Sequence, residues 1–262
     1  METHRTQPEK TVTLRVFRAN PTQGGGPRHE TYHIPLEHGM TVLSALLYVK
    51  EKIDHAIALR FSCRMASCGS CGMKINGLPK LACYTQVSEF PDLKITVEPL
   101  EHYPLVRDLV TDFEGFFAKH RSVSPFLIRR NAQEQEGIES EYVQSARELE
   151  DFLQFSYCIK CGLCNAACPT VATDPIFLGP QALGQAYRYV ADSRDEGAGE
   201  RVGILDTEHG VWRCHFAGAC SFVCPKGVDP ALAIQRLRRV TISPSVRKRT
   251  GTIPIESPVA SK

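Results

Sequence analysis

The chain has 262 residues, 42% of them hydrophobic, enough for two ordinary cores at about one domain per ~150 residues, which excludes a disordered tail or a collagen-like repeat. Lys and Arg number 31 against 29 Asp and Glu, a formal charge of +2, so no whole-protein field calls for nucleic acid or an acidic surface as partner. The longest charge-free apolar stretch, TVLSALLYV at 41–49, is half the ~18–20 residues that cross a bilayer, and METHRTQPEK lacks a following apolar run and cleavage site, so a chain resident in a reducing compartment is expected.

From Thr11 to Leu100 short runs rich in Val, Ile, Thr and Tyr alternate apolar and polar residues: TVTLRVFRA, ETYHIPLE, MKINGLPKLACYT and LKITVEPL. These predict strands. Gly24, Gly25 and Gly26 lie between the first two without a following helix and read as a hairpin loop rather than a phosphate cradle. Asn76 and Gly77 are the two-residue turn of a second hairpin, because both can take positive φ. In TVLSALLYVKEKI, Thr41 caps a helix whose Val42, Leu46, Val49 and Ile53 recur on one face. A small mixed sheet with one helix packed on it is expected. Beyond Pro104 the composition changes: NAQEQEGIESE at 131–141 reads as a linker or surface loop. VQSARELEDFLQF, LGPQALGQAYRYVADSRD and DPALAIQRLRRV read as helices, the last opening with Asp and Pro as helix starts do. The expected domains are 11–115 and 116–242, followed by a mobile tail at 243–262, which lacks periodicity.

Eleven cysteines in a long chain without an export signal point to metal rather than disulfides. Cys63-x4-Cys68-x2-Cys71, with Cys83 further on, has the plant-type spacing for a 2Fe-2S cluster. Gly69 and Gly72 stand where inorganic sulfide would approach the backbone and a missing Cβ leaves room, or else they are ordinary turn residues. A zinc site fits these spacings poorly. Cys158-x2-Cys161-x2-Cys164-x3-Cys168-Pro169 is the bacterial ferredoxin run, whose fourth cysteine serves the other cluster. By the same cross-over Cys224 completes a 4Fe-4S set of Cys158, Cys161, Cys164 and Cys224. The second group, Cys214-x5-Cys220-x3-Cys224-Pro225, looks like a duplicate of the first, except that Ala217 stands where its middle cysteine would fall. Cys168, Cys214 and Cys220 then supply three thiolates, which favours 3Fe-4S over a cube with water on one iron. Four, four and three consume all the cysteines. With no Ser-His-Asp set, phosphate loop or carboxylate pair, this chain reads as an electron wire whose chemistry happens at its two ends.

CRMASCGSCG, LACYT, CIKCGLCNAACP and CHFAGACSFVCPKGVDP, in that order, resemble the iron-sulfur subunit of succinate:quinone oxidoreductase and fumarate reductase, and the resemblance spans about Thr11 to Val240. It implies an α+β protein, a β-grasp 2Fe-2S ferredoxin-like domain followed by an all-helical bacterial-ferredoxin-like domain. It also implies electron transfer from covalent FAD in a flavoprotein subunit, through the 2Fe-2S, 4Fe-4S and 3Fe-4S centres, to quinone. A transmembrane anchor subunit, with or without haem b, would complete the quinone site; because the N-terminus is not rich in Arg and Ser like a transit peptide, the cytoplasmic face of a prokaryotic membrane is the expected location. Residues carried over to that site are Pro169, Thr173, His215, Ala217, Gln235 and Arg238. For His215 and Arg238 the bland readings are a satisfied structural histidine and a basic face shared with Arg236 and Arg239; Arg247, Lys248 and Arg249 would add attraction to anionic headgroups. Two departures stand out. Ala66 replaces a frequent Gly, so its φ should be negative or its backbone strained. Thr173 replaces the Trp of ubiquinone-linked members, which favours menaquinone. The alternatives are the cluster subunit of another flavin- or heterodisulfide-linked reductase, and a zinc- or cluster-stabilised interaction module.

Overall fold

The computed structural model describes residues 10–131, 133–136 and 141–243. The expected tail beyond Ser243, with Arg247, Lys248 and Arg249, lies outside the described residues, as does part of the polar stretch at 131–141. The chain divides into two compact units: one reaches Phe113 and also includes Ile159–Ala167, and the other comprises Glu114–Cys158 and the chain from Cys168 onward. The division falls two residues before the expected boundary, and a short piece of the expected second domain folds with the first.

In the first unit β1 (Thr11–Asn20) and β2 (Gly25–Pro35) form the expected hairpin, paired from Thr11↔Pro35 to Asn20↔Gly25. Val12, Leu14 and Val16 are wholly buried, the inward half of a period-two strand. The helix α1 (Val42–Lys52) starts with a reciprocal cap: Thr41 Oγ1 accepts from the Ser44 amide, and Ser44 Oγ accepts from the Thr41 amide. It buries Val42, Leu43, Ala45, Leu46 and Val49. Ile53, expected on that face, lies past the last helical residue with φ −123° and is 50% exposed, because the Ile53 and Asp54 amides both turn back to the Val49 carbonyl and end the helix. β3 (Gly72–Ile75) and β4 (Leu78–Leu81) are joined through Asn76 and Gly77 at φ +46° and +84°, as that dipeptide requires. β5 (Lys94–Glu98) completes the sheet in the order β2-β1-β5-β3-β4; it runs parallel to β1 and antiparallel to β3. A parallel neighbour cannot be reached by a tight turn, so α1 and the cysteine loop occupy the crossover. A small pair, β6 (Leu105–Arg107) and β7 (Val110–Thr111), follows.

The sequence alternation hides one inward charge. Arg18 is 5% exposed and meets Glu30, Asp54 and Tyr32, with Asp108 at 3.3 Å. Asp108 in turn accepts from the Ala19 and Ala58 amides. A buried guanidinium is tolerable only with such a set of partners.

The regular elements of the second unit's described residues are all helices. It contains α2 (Glu114–Ser122), α3 (Gln133–Glu136) and α4 (Ala146–Ser156), the last capped by Ser145 and Glu148 in a reciprocal box that the sequence S-x-x-E encodes. One helical turn, α5 (Leu163–Ala166), belongs to the first unit. After it come α6 (Pro169–Thr173), α7 (Gly179–Val190), α8 (Ala198–Leu205), α9 (Ala219–Phe222) and α10 (Pro230–Ile242). Every residue of α7 from Gly179 to Tyr187 is buried, which marks it as the inner helix; α10, α4 and α2 pack around it. α10 starts as its Asp-Pro predicts, with Asp229 accepting from the Leu232 amide. Phe155, Phe177, Leu183, Leu205, Ile234 and Leu237 form the core, and Cys158, Cys168, Cys214 and Cys224 pack against it. No described helix is long and apolar enough to cross a membrane.

Candidate iron-sulfur centres

The loop from Cys63 to Cys71 aims backbone donors at sulfur. The Met65, Ser67 and Cys68 amides donate to Cys63 Sγ at 3.5, 3.3 and 3.2 Å. The Cys63 and Ser70 amides reach Cys68 Sγ at 3.5 Å, the Cys83 amide reaches Cys71 Sγ at 3.5 Å, and the Ala66 amide reaches Cys83 Sγ at 3.3 Å. Left-handed residues turn these N–H groups inward, as in an anion-binding nest: Arg64 has φ +57°, Ala66 +55° and Gly69 +78°. Ala66 therefore takes the strained conformation, not the negative φ, because its amide is committed to Cys83. Hydrogen bonding, chiefly from Ser70, lowers the Cys68 thiol to about 6, whereas burial pushes the Cys71 thiol up. The loop's donors thus favour the thiolate form at Cys68, while burial disfavours it at Cys71. That donor set suits a cluster whose reduction potential is tuned by amide bonds to sulfur.

The two ferredoxin-type segments share one backbone. Lys160 and Phe216 have φ +56° and +57°. Gly162 and Gly218, two residues on, have φ/ψ of 80/−7° and 74/−8°. The amides of Asn165 and Ala166 return to the Gly162 carbonyl at 3.1 Å, and those of Ser221 and Phe222 return to the Gly218 carbonyl at 3.0 and 3.1 Å. α5 and α9 are the resulting single turns, leading to Cys168-Pro169 and Cys224-Pro225. In this alignment Ala217 corresponds to Cys161. In the second unit Cys168, Cys214 and Cys220 line one recess together with Ala217. Burial pushes the Cys220 thiol up to about 11 and raises that of Cys214, the latter opposed by the Phe216 amide and Arg238. Three thiols in one apolar recess, with a methyl at the fourth corner, fit a centre bound through three thiolates. Among the described residues no three His, Cys, Asp or Glu side chains close on a single-ion point.

The family model described as 2Fe-2S iron-sulfur cluster binding domain matches residues 13–118, and that of the 4Fe-4S dicluster domain matches 154–228. A Mycobacterium tuberculosis fumarate reductase iron-sulfur subunit is 44% identical over 90% of this chain and 95% of its own length. A Paracoccus denitrificans succinate dehydrogenase iron-sulfur subunit is 37% identical over 90% and 91%. Among solved structures, a chain of the Mycobacterium smegmatis Sdh1 complex in the apo form superposes with a TM-score of 0.75 at 26% identity, covering 90% of this chain and 99% of that one. The chain belongs to the fumarate reductase and succinate dehydrogenase iron-sulfur subunit family. It is an electron-transfer subunit that carries iron-sulfur clusters and works with flavoprotein and membrane-anchor subunits.

The residues that the family resemblance assigns to quinone divide in the structure. Pro169, His215 and Ala217 line the recess and are exposed. Thr173 does not line it; its hydroxyl turns back to the Pro169 and Thr170 carbonyls of its own helix. Gln235 and Arg238 stand on α10, where the Arg238 guanidinium donates to the Cys214 carbonyl at 2.5 Å, the Val211 carbonyl at 3.0 Å and Gln235 Oε1. Arg238 therefore holds the ligand loop in place rather than forming part of a free basic face. Among the described residues the Gln235 Nε2 is buried without a hydrogen-bond partner.

Several contributors escaped the sequence reading. Asp174, 5% exposed, accepts from His209 Nδ1 at 2.7 Å and from the Ile176 and Phe177 amides, with Arg213 Nε 2.9 Å away outside hydrogen-bond geometry. It thereby ties the end of α6 to the strand of chain entering Cys214. Lys119 donates to the Pro175 and Phe177 carbonyls beside it. Arg201 is buried against Asp195 and the Val123, Ser124 and Phe126 carbonyls. Their partners come from distant segments, so local spacing carries no signal of these contacts; the Asp174-Pro175 pair signals only a turn.

Proposed function

We propose that this chain conducts electrons between FAD in a flavoprotein partner and a quinone, in a complex that interconverts succinate and fumarate. Cys63, Cys68, Cys71 and Cys83 hold the 2Fe-2S cluster. Cys158, Cys161, Cys164 and Cys224 hold the 4Fe-4S cluster by the spacing of the bacterial ferredoxin run. Cys168, Cys214 and Cys220 hold a 3Fe-4S cluster. The observation that carries the reading is the third recess, where a backbone built for four cysteines presents three thiols and the Ala217 methyl. The functional halves are residues 11–115 and 116–242, although Ile159–Ala167 folds with the first compact unit.

When bound, the clusters supply one-electron carriers with stepped potentials. The chain's own residues set the surroundings. Amides at Met65, Ala66, Ser67 and Phe216 stabilise negative charge on sulfur, and Arg238 adds a positive charge beside Cys214. Phe177 and Ile234 at the recess wall keep water from the third centre. Quinone is read at the recess mouth, touching Pro169, His215 and Ala217. Gln235 and Arg238 support it from behind, and Thr173 flanks it. The small Ala172-Thr173 pair at that side favours menaquinone, with the anchor subunit and any haem b completing the pocket. The complex is read as peripheral on the cytoplasmic face of a prokaryotic membrane. Purifying the chain with its native partners tests this. A co-purifying subunit with covalent flavin, and succinate-dependent bleaching of the clusters, supports the reading; a coloured complex lacking flavin overturns it in favour of another reductase.

A further inference from the structure

Three glycines line the place where the Cys63–Cys71 loop meets the segment bearing Cys161 and Cys164, all within the first unit. A Cβ added to Gly69 would stand 2.8 Å from the Cβ of Cys161 and 2.9 Å from its Cα. One added to Gly72 would lie 3.2 Å from the Cys161 carbonyl oxygen and from Leu163 Cδ2. On the far side, a Cβ on Gly162 would press within 2.6 Å of the Tyr103 hydroxyl and 2.7 Å of the Phe113 ring. The arrangement is clamped: the Tyr103 hydroxyl donates to the Gly162 carbonyl at 2.9 Å, and its ring stacks on Phe113 at 4.5 Å. The backbone next to thiolate Cys68 thus touches the side chain of thiolate Cys161 with no side-chain atom between them.

We propose that Gly69 is a spacer whose missing side chain sets the closest approach of the first two clusters, and with it their electronic coupling. The inference rests on the ligand assignment given under Proposed function. With clusters bound, one electron would pass from a centre held by Cys63, Cys68, Cys71 and Cys83 to one held in part by Cys161, oxidising the first and reducing the second with no bond made or broken. Such a transfer weakens steeply as the gap widens, and so does the magnetic interaction between the two reduced centres. A left-handed φ alone would also call for glycine at position 69. Gly77 provides the contrast: its φ is +84°, yet nothing lies within 4 Å of an added Cβ.

The test compares Gly69→Ala, Gly72→Ala and Gly77→Ala in the whole complex, reduced with dithionite and read by the microwave-power saturation of the 2Fe-2S EPR signal. In the parent, relaxation by the neighbouring reduced centre should keep that signal hard to saturate. Gly69→Ala should make it saturate at lower power, Gly72→Ala should do so to a smaller degree, and Gly77→Ala should match the parent. An unchanged saturation curve in Gly69→Ala, or the same change in Gly77→Ala, overturns the proposal. If Gly69→Ala fails to assemble, Gly72→Ala, whose φ is ordinary, decides by the same reading. Absence of two separate reduced-cluster signals in the parent would instead defeat the ligand assignment, so the two failures are distinguishable.

Discussion

The Cys158–Cys164 and Cys214–Cys220 segments have the same left-handed positions and the same single-turn helices, yet one carries Cys161 and the other Ala217 at the corresponding place. Backbone shape is therefore common property, and the difference between the two segments resides in one side chain and its surroundings. The surroundings differ as well. The first segment is held by a neutral hydrogen bond from Tyr103, and the second by the charged Arg238, which bonds the Cys214 carbonyl.

Ala217→Cys tests the comparison most severely. Restoring the fourth thiolate should convert the third centre to 4Fe-4S, abolish the EPR signal of oxidised 3Fe-4S, lower the centre's potential and slow quinone reduction; an unchanged spectrum would move Ala217 away from the cluster. The converse, Cys161→Ala, should cost the other cube about one iron per chain and add a second 3Fe-type signal, measured by iron analysis and EPR. Arg238→Gln sharpens the contrast in support. Loss of hydrogen bonds from a charged donor should destabilise the second unit by about 1.5–3 kcal/mol, whereas Tyr103→Phe, removing a neutral one, should cost the first unit about 0.5–1.5 kcal/mol. Both are read by denaturant titration of the cluster absorbance.

Acid should discriminate less sharply. Burial alone would raise the Asp54 carboxyl, but bonds from Arg18, Tyr32 and the Ala56 amide outweigh it and hold the group at about 2 against an ordinary 3.8. A carboxylate depressed in the folded state contributes stability that is complete above its unfolded pKa and is lost as pH falls through the folded one. That contribution to the first unit should fade from about pH 3.8 to about pH 2. Hydrogen exchange at the Ala56 amide should accelerate over that window, and Asp54→Asn should remove the pH dependence. The smallest effect is expected from Ala66→Gly: relief of a left-handed alanine should add about 1 kcal/mol, or about 2–4 °C in Tm, with the Ala66 amide bond to Cys83 retained.

Spacing in the sequence revealed what depends on local covalent order: the ligand runs, the Ala217 gap, the Asn76-Gly77 hairpin, and the caps at Thr41, Ser145 and Asp229. It could not reveal what depends on which distant chain arrives alongside. Gly69 and Gly72 read as turn or sulfide-facing residues because Cys161 is ninety positions away. Nothing in the local spacing announces that Arg18 and Arg201 are buried, because their carboxylate and carbonyl partners come from distant segments. Ile53 fits the helical period, yet the backbone turn at Asp54 overrides periodicity. β6, β7 and α2 lack strong patterning and form because neighbouring segments cover them. Thr173 was named for the quinone site by family position, but its hydroxyl bonds its own helix.

The central claim is that three thiolates, Cys168, Cys214 and Cys220, hold a three-iron centre at the end of the wire. Low-temperature EPR of the oxidised, anaerobically purified complex tests it most directly. A 3Fe-4S signal equimolar with the chain is predicted, and an EPR-silent oxidised protein with its full iron complement would contradict it.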